Sequence, residues 1–235
     1  MKLISVVIAA YNEEKNLPKC LDSITNQNFP KENYEIIVVD NNSKDKTAEI
    51  ARSFGATVIR EEKQGNTFAV KKGMDSAGGK IIAMADADTI VEKNWLLDIA
   101  KVFEDENIVG FTGMGEIKSG NKFLDIFEKL FYEYFLKLHF LVGKPHITGF
   151  NLAVRKSAYE KIGGLDERFT MSPDIDLGLR LSRVGKVVFD KNIVAQTSFR
   201  RWQETPIDAF ITYAKGYLWT VWFRKPPPVK QRVIR

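Results

Sequence analysis

The stretch that decides the fold is Lys80-Ile81-Ile82-Ala83-Met84-Ala85-Asp86-Ala87-Asp88-Thr89. Its apolar first half has the length of a buried strand, and two aspartates follow where that strand is expected to end. In an open α/β sheet, ligands bind at the carboxyl ends of the strands. Mg²⁺ is usually shared between one or two carboxylates and the phosphates of a substrate. The pattern predicts a site for a cation and a diphosphate at Asp86 and Asp88; the alternative is a simple turn in which one aspartate caps the next helix.

The first half of the chain alternates short apolar runs with helical patterns. Strands are predicted at residues 3–10, 35–40, 56–59 and 80–85. One helix is predicted to begin at Glu13, with Asn12 as its cap. Two further helices are predicted at residues 45–54 and 67–77. Strands separated by single helices predict a parallel sheet with helices on both faces. No Gly-x-Gly-x-x-Gly or Gly-Lys-Ser/Thr motif follows any of these strands, which argues against a dinucleotide site and a P-loop.

The second half is less regular. Strands are predicted at residues 108–112, 151–154 and 187–189, and helices at 95–103, 123–142, 174–184 and 207–223. The helices at 123–142 and 207–223 are rich in aromatic residues. The fold class predicted is therefore α/β, with a mostly parallel central sheet, helices on both faces and a C-terminal helical tail.

Composition and charge exclude several classes of protein. The chain has 235 residues, 44% of them hydrophobic, and a net charge of +5. Residues 200–235 alone carry eight Lys or Arg and two Asp or Glu, a net +6, so the rest of the chain carries −1. A body without excess positive charge argues against nucleic-acid binding. No apolar run reaches the roughly 20 residues that cross a bilayer, and the first strand leads at once into Tyr11-Asn12-Glu13-Glu14, unlike a signal peptide.

A single cysteine, Cys20, excludes an intrachain disulfide, and we expect it to be a small core residue in a cytoplasmic protein.

Polar residues follow three of the predicted strands. The first strand ends in Ala10-Tyr11-Asn12-Glu13, the second in Asp40-Asn41-Asn42 and the fourth in Asp86-Ala87-Asp88. Because these ends meet along one edge of a parallel sheet, they combine an aromatic ring, a hydrogen-bonding carboxylate and a metal-binding pair. This combination suits a base, a ribose and a diphosphate.

At this point the chain resembles the proteins of glycosyltransferase family 2, which have the GT-A fold. The resemblance covers residues 3 to 200 in order and rests on the blocks Ser5–Glu14, Ile37–Ser43, Lys63–Gly79, Ala85–Thr89, Gly149–Arg155, Ile162–Glu167 and Asp174–Leu181. Each block is a weak signal alone, whereas the ordered set is highly specific.

The resemblance implies an inverting transferase that uses a UDP- or GDP-linked sugar as donor and Mn²⁺ or Mg²⁺ as cation. By position, Asp88 is the metal ligand, Asp86 reaches the metal or the ribose, and Tyr11 and Asp40 contact the base. The further donor contacts implied are Ala10, Glu13, Asn42, Gly65 and Ala87, with Arg201 and Trp202 as donor or acceptor contacts.

The resemblance also implies a catalytic base, Asp174. An aspartate at a helix start is also favoured simply by the helix dipole, and Asp176 is the alternative base or an orienting neighbour. The chain departs from the family pattern at Pro173, where a Glu is common, and at Gln196, near the position where some relatives carry a metal-binding His.

The resemblance divides the chain into a GT-A domain over residues 1–205 and a basic helical tail over 206–235. Within the domain, residues 1–90 form the nucleotide-binding half and 108–200 the acceptor-binding half. The aromatic and basic residues of the tail suit peripheral contact with the inner face of a membrane, which favours a lipid-linked glycan or a polyprenyl phosphate as acceptor. The alternative is that both aromatic helices pack against the sheet and each other.

Two other functions stay open at this stage. A sugar-1-phosphate nucleotidyltransferase has a related sheet, but its Gly-rich, Arg-bearing loop is absent near the N-terminus. A non-catalytic nucleotide-sugar-binding protein is conceivable because Pro173 alters the segment that carries the base.

Overall fold

The computed structural model describes residues 2–117, 122–197 and 214–227. The strands are β1 (Ile4–Ala10), β2 (Tyr34–Asp40), β3 (Thr57–Arg60), β4 (Ile81–Met84), β5 (Ile90–Val91), β6 (Ile108–Ile117), β7 (Leu152–Arg155) and β8 (Lys186–Thr197). The helices are α1 (Leu17–Thr25), α2 (Thr47–Ser53), α3 (Asn66–Ser76), α4 (Trp95–Val102), α5 (Lys122–Leu141), α6 (Lys156–Lys161) and α7 (Pro173–Leu181), with a 3₁₀ turn at Lys31–Asn33. Residues 214–218 are helical, and a π-helical turn follows at Trp219–Phe223.

The described strands form one sheet in the order β3-β2-β1-β4-β7-β6-β8-β5. The first four strands in that order are parallel, as the alternating pattern predicts. Strand β7 is antiparallel to both β4 and β6, β6 and β8 are parallel, and β5 is antiparallel to β8. The predicted α/β class with a mostly parallel sheet is confirmed.

Helices cover both faces of the sheet because neighbouring residues of its buried strands face opposite sides. In β1, Ile8 packs in a cluster with the buried face of α1 and with Trp95 of α4. Val7 packs on the other side in a cluster formed with α3, α6 and α7. Each aliphatic side chain buried in this way contributes about 1.5–3 kcal/mol, so the two layers together hold the strand ends that carry the polar residues.

Several predicted boundaries were wrong. Helix α1 begins at Leu17 and not at Glu13, because Asn12 has a φ of +53° and accepts a hydrogen bond from the Lys44 N–H at 2.9 Å. The short β5 and α6 were not predicted, and β6 and β8 are longer than expected. The predicted tail helix starts in a part of the chain outside the described residues.

A buried asparagine just before β7 ties strands β6 and β8 to α4. The side chain of Asn151 is fully buried, and its Oδ1 accepts from the indole N–H of Trp95 at 2.9 Å. Its Nδ2 donates to the carbonyls of Met114 and Ile193, both at 3.0 Å. Among the described residues, no helix is long and apolar enough to cross a membrane.

Candidate active site

The predicted strand ends lie along one edge of the sheet. Ala10 pairs with Asp40 at the ends of β1 and β2. Met84, the last residue of β4, pairs with Val7 on one side and with Leu152, the first residue of β7, on the other. The segments after β1, β2 and β4 and the segment that leads into β7 therefore leave the sheet at the same edge.

The loop after β1 is hydrogen-bonded to the loop after β2. The N–H of Asn12 donates to Ser43 Oγ at 3.0 Å, and the N–H of Glu13 donates to Thr47 Oγ1 at 2.8 Å. Thr47 Oγ1 in turn donates to Asp45 Oδ1 at 2.5 Å. These bonds hold Tyr11, which is partly exposed, beside the end of β2. Sequence analysis did not assign this role to Ser43, Asp45 or Thr47, although short polar residues clustered after a strand are the usual signal for such loops.

The end of β2 organises a second loop. Asp40 is 6% exposed, and the next residue, Asn41, is also buried. Asn41 Nδ2 donates to the carbonyls of Glu61 and Lys63 at 3.0 and 2.8 Å, and its Oδ1 accepts from the Gly65 N–H at 2.8 Å. Gly65 has a φ of +140°, which favours glycine at this position. One buried amide therefore brings the loop that carries Gly65 to the edge where β1 and β2 end.

Two predicted donor contacts lie at the same end of these strands. Ala10 is buried as the last residue of β1. Asn42 has a φ of +68°, and its Oδ1 accepts from Arg60 Nη2 at 2.8 Å. Asparagine tolerates this left-handed backbone better than most residues.

The two aspartates after β4 flank a buried residue. Asp86 and Asp88 are partly exposed, whereas Ala87 between them is 5% exposed. The carbonyl of Asp86 accepts from the Thr89 N–H at 3.0 Å and from Cys20 Sγ at 3.4 Å. Burial, and then the charges of Asp88 and Asp86, raise the pKa of the Cys20 thiol. Both carboxylates thus belong to one tight turn against α1.

This turn fits a cation that is shared with a substrate. Among the described residues, no group of three His, Cys, Asp or Glu side chains forms a complete metal cage. A pair of partly exposed carboxylates matches a Mg²⁺-type cation, which keeps phosphate and water oxygens in its shell. Strand β5 follows the turn, and its Ile90 pairs with Gln196. Gln196, which stands near the position where some relatives carry a metal-binding His, therefore lies close to the turn that carries Asp86 and Asp88.

Asp174 lies in the first turn of α7 and contacts the segment that leads into β7. Its Oδ2 accepts from the Gly149 N–H and its Oδ1 from the Ile175 N–H, both at 3.0 Å. Burial raises the pKa of Asp174 to about 6, although these N–H groups oppose the shift. A carboxyl with a pKa near the working pH is suited to take up a proton as a general base.

Asp176, the alternative base, has a different environment. Its Oδ2 accepts from Arg180 Nε at 2.7 Å, and Arg180 Nη1 also donates to the carbonyls of Ile162 and Gly164. This arrangement anchors α7 to the preceding loop and leaves Asp176 paired with a cation.

Tyr132 of α5 is a neighbour of Asp174 that the sequence did not indicate. Burial raises the pKa of the Tyr132 hydroxyl, and the charge of Asp174 adds to the shift. Helix α5 therefore lies near Asp174. Arg201 and Trp202 lie outside the described residues.

The family model described as Glycosyl transferase family 2 matches residues 5–163. The chain belongs to glycosyltransferase family 2. The resemblance seen in the sequence is thus confirmed, and the relatives named below are glycosyltransferases.

Individual proteins that are similar to this chain are also glycosyltransferases. The chain is 40% identical over 102 residues to glycosyltransferase AglE of Haloferax volcanii, which is 41% of this chain and 34% of AglE. It is 30% identical over 195 residues to a beta-monoglucosyldiacylglycerol synthase of Trichormus variabilis, which is 77% of this chain and 41% of that protein. The chain therefore spans between a third and a half of the length of these two curated relatives.

A solved structure supports the GT-A fold. The mannosyltransferase PcManGT of Pyrobaculum calidifontis, in complex with GDP-Man and Mn²⁺, superposes with a TM-score of 0.70. The match covers 89% of this chain and 62% of that one at 17% identity.

Proposed function

We propose that this glycosyltransferase family 2 chain is an inverting enzyme that transfers a sugar from a UDP- or GDP-linked donor to an acceptor hydroxyl. The observation that carries the proposal is the position of Asp174. Its carboxylate is bound to Gly149, just before β7, and β7 pairs with β4, which leads into Asp86 and Asp88. A base for the acceptor and an acidic turn for the donor thus share one edge of the sheet.

The donor half of the proposed site is the edge formed by β1, β2 and β4. Tyr11 provides a ring for the base, and the carboxylate of Asp40 accepts from a base N–H. The other donor contacts that we propose are Ala10, Glu13, Asn42, Gly65 and Ala87, with Arg201 and Trp202 as donor or acceptor contacts. The hydrogen bonds between the loops after β1 and β2 keep Tyr11 and Glu13 in position.

Asp88, with Asp86, would hold a Mn²⁺ or Mg²⁺ ion. Such a cation stabilises the negative charge that develops on the departing nucleoside diphosphate. The complex of PcManGT with GDP-Man and Mn²⁺ supports a donor and a cation of this chemistry.

Asp174 acts on the acceptor. Its carboxylate takes the proton from the acceptor hydroxyl while that oxygen bonds to the anomeric carbon of the sugar. The bond from the anomeric carbon to the diphosphate oxygen breaks, and its electron pair leaves with the nucleoside diphosphate. The N–H groups of Gly149 and Ile175 keep the carboxylate oriented for this step.

We propose a lipid-linked glycan or a polyprenyl phosphate as acceptor. The relative named beta-monoglucosyldiacylglycerol synthase supports an acceptor or product of lipid character. The single buried cysteine fits a reaction in the reducing cytoplasm.

The test measures donor binding and product together. Thermal unfolding is followed with GDP or UDP, with and without Mn²⁺, because a ligand of the folded state raises its stability. We expect the Mn²⁺-dependent shift to disappear in Asp88→Asn and to persist in the control Asp98→Asn, which alters an exposed carboxylate on α4.

Turnover should release a nucleoside diphosphate from the nucleotide sugar. Release of pyrophosphate from a nucleoside triphosphate would instead identify a nucleotidyltransferase. Binding of the donor without any turnover would identify a nucleotide-sugar-binding protein.

A further inference from the structure

Helix α5 presents a large apolar surface to solvent. Its outer face consists of side chains that are 50–83% exposed: Ile126, Phe127, Leu130, Phe131, Tyr134, Leu138, Leu141 and Val142. At about 100° per residue these positions fall within one side of the helix, and they extend over about 24 Å. The opposite side carries Leu136 and His139, which are buried against the fold.

The C-terminal helical segment extends this surface. His139 of α5 contacts the hydroxyl of Tyr217 through its Nε2, which joins the segment to α5. Lys144, just after α5, lies over the ring of Trp222 at 3.5 Å. The segment adds three exposed side chains, Leu218, Trp222 and Phe223. Among the described residues, Ile90 is the one exposed large apolar side chain outside this surface. Contiguous exposed apolar area of this kind marks an interaction site.

The surface is rimmed by positive charge. The side chains that the structure describes within residues 125–144 and 214–227 include six Lys or Arg and two Asp or Glu, a net charge of +4. Glu133 of α5 is paired with Lys137 at 2.6 Å and Lys191 at 3.5 Å. Lys215, Arg224 and Lys225 are exposed.

We propose that this α5 surface, made of the outer face of α5 and residues 214–225, docks on a bilayer that contains anionic lipids. An apolar helix face with aromatic residues and flanking cations is the pattern of interfacial helices, whose apolar side enters the boundary between headgroups and acyl chains. Cations near such a surface gain from the negative potential of the lipid. A second copy of the chain would bring two positive rims together, which opposes self-association through the same face.

If Asp174 is the base, as the proposed function states, docking places the bilayer on the same side of the fold as this residue. The inner side of α5 carries Tyr132, a neighbour of Asp174. Helix α5, about 10–12 Å wide with its side chains, would therefore lie between a docked bilayer and the proposed base. A lipid-linked acceptor held in this bilayer would therefore lie on the side of the fold where α5 and Asp174 are found.

The experiment is co-sedimentation of the full 235-residue chain with vesicles of phosphatidylcholine, alone or mixed with phosphatidylglycerol. We expect binding to the anionic vesicles that weakens with salt. The double variant Phe131→Ser/Leu138→Ser should lower the apparent vesicle affinity by about tenfold or more, because two exposed apolar side chains no longer insert. Its control is Ile90→Ser, which removes an exposed apolar side chain elsewhere.

A charge variant tests the rim. Arg224→Gln/Lys225→Gln should weaken binding to anionic vesicles, whereas Lys93→Gln/Lys161→Gln, which removes two exposed lysines elsewhere, should not. All four variants change exposed residues, and thermal unfolding verifies that each remains folded.

Three results would overturn the proposal: no binding to anionic vesicles, equal binding by the Phe131→Ser/Leu138→Ser variant, or a dimer in light scattering that this variant dissociates. Nucleotide binding with Mn²⁺, measured on the same preparation, separates a failure of docking from a failure of the proposed glycosyltransferase site.

Discussion

Replacement of Asp174 by asparagine removes the proposed base and leaves a side chain of the same shape. General-base catalysis contributes about 10²–10⁴-fold, so we expect kcat for sugar transfer to fall by about that factor. The proposed donor site lies on other elements, so the affinity for a nucleoside diphosphate with Mn²⁺ should change little. The assay is release of nucleoside diphosphate under saturating donor, with donor affinity from calorimetry.

The pH dependence of the wild-type enzyme gives a sharper test. Because burial raises the pKa of Asp174 to about 6, the carboxyl is ionised to about 90% at pH 7 and to about 10% at pH 5. Activity should therefore fall about ninefold over that interval. A carboxyl with the ordinary pKa of about 3.9 would remain more than about 90% ionised at pH 5 and would give almost no loss.

Asp176→Asn is the matched control. It removes the carboxylate that accepts from Arg180 at 2.7 Å, so we expect lower stability. The activity of this variant should still fall with a midpoint near pH 6, as in the wild type. Two results would refute the assignment of Asp174 as the base. One is full turnover by Asp174→Asn. The other is a fall of activity at acidic pH whose midpoint shifts in Asp176→Asn but not in variants of Asp174.

Three further predictions concern stability. Thr47→Val should cost about 1–3 kcal/mol in urea unfolding and weaken nucleotide binding, because the partly buried Glu13 N–H loses its acceptor at 2.8 Å; Thr47→Ser should retain both properties. Trp95→Phe should cost a similar amount, about 1–3 kcal/mol, because a buried amide oxygen loses its indole donor at 2.9 Å, and an unchanged midpoint would count against this. Burial lowers the pKa of His146 to about 3, so the unfolded chain takes up this proton first as pH falls below about 6.5, and this group alone should lower the free energy of unfolding by about 1.6 kcal/mol between pH 6.5 and 5. Asp174 has a raised pKa in the folded chain, so its own contribution to stability increases as pH falls and opposes that of His146. The test therefore compares the pH dependence of unfolding in the wild type and in His146→Gln, which lacks only the histidine contribution.

Much of the parallel half of the fold could be predicted because its signals are local. Runs such as Ile4–Ala10 and Ile81–Met84 are apolar on both faces, which happens only in strands covered on both sides. The order of short motifs then indicated the family. The start of α1 could not be predicted in the same way. Asn12 has the residue type of a helix cap, but its side chain accepts from Lys44 in a loop distant in the sequence.

The sequence by itself determined the chemistry available at the site: an aspartate pair after a buried strand, a second carboxylate after another, and an aspartate behind a proline. Only the tertiary structure showed that neighbouring candidates have different environments. Asp174 and Asp176 lie two residues apart in one helix, yet among the described residues the carboxylate of Asp174 accepts from backbone N–H groups and that of Asp176 accepts from Arg180. The environment of a carboxyl depends on elements far apart in the chain, and burial and partners, which set its pKa, exist only once those elements have packed together.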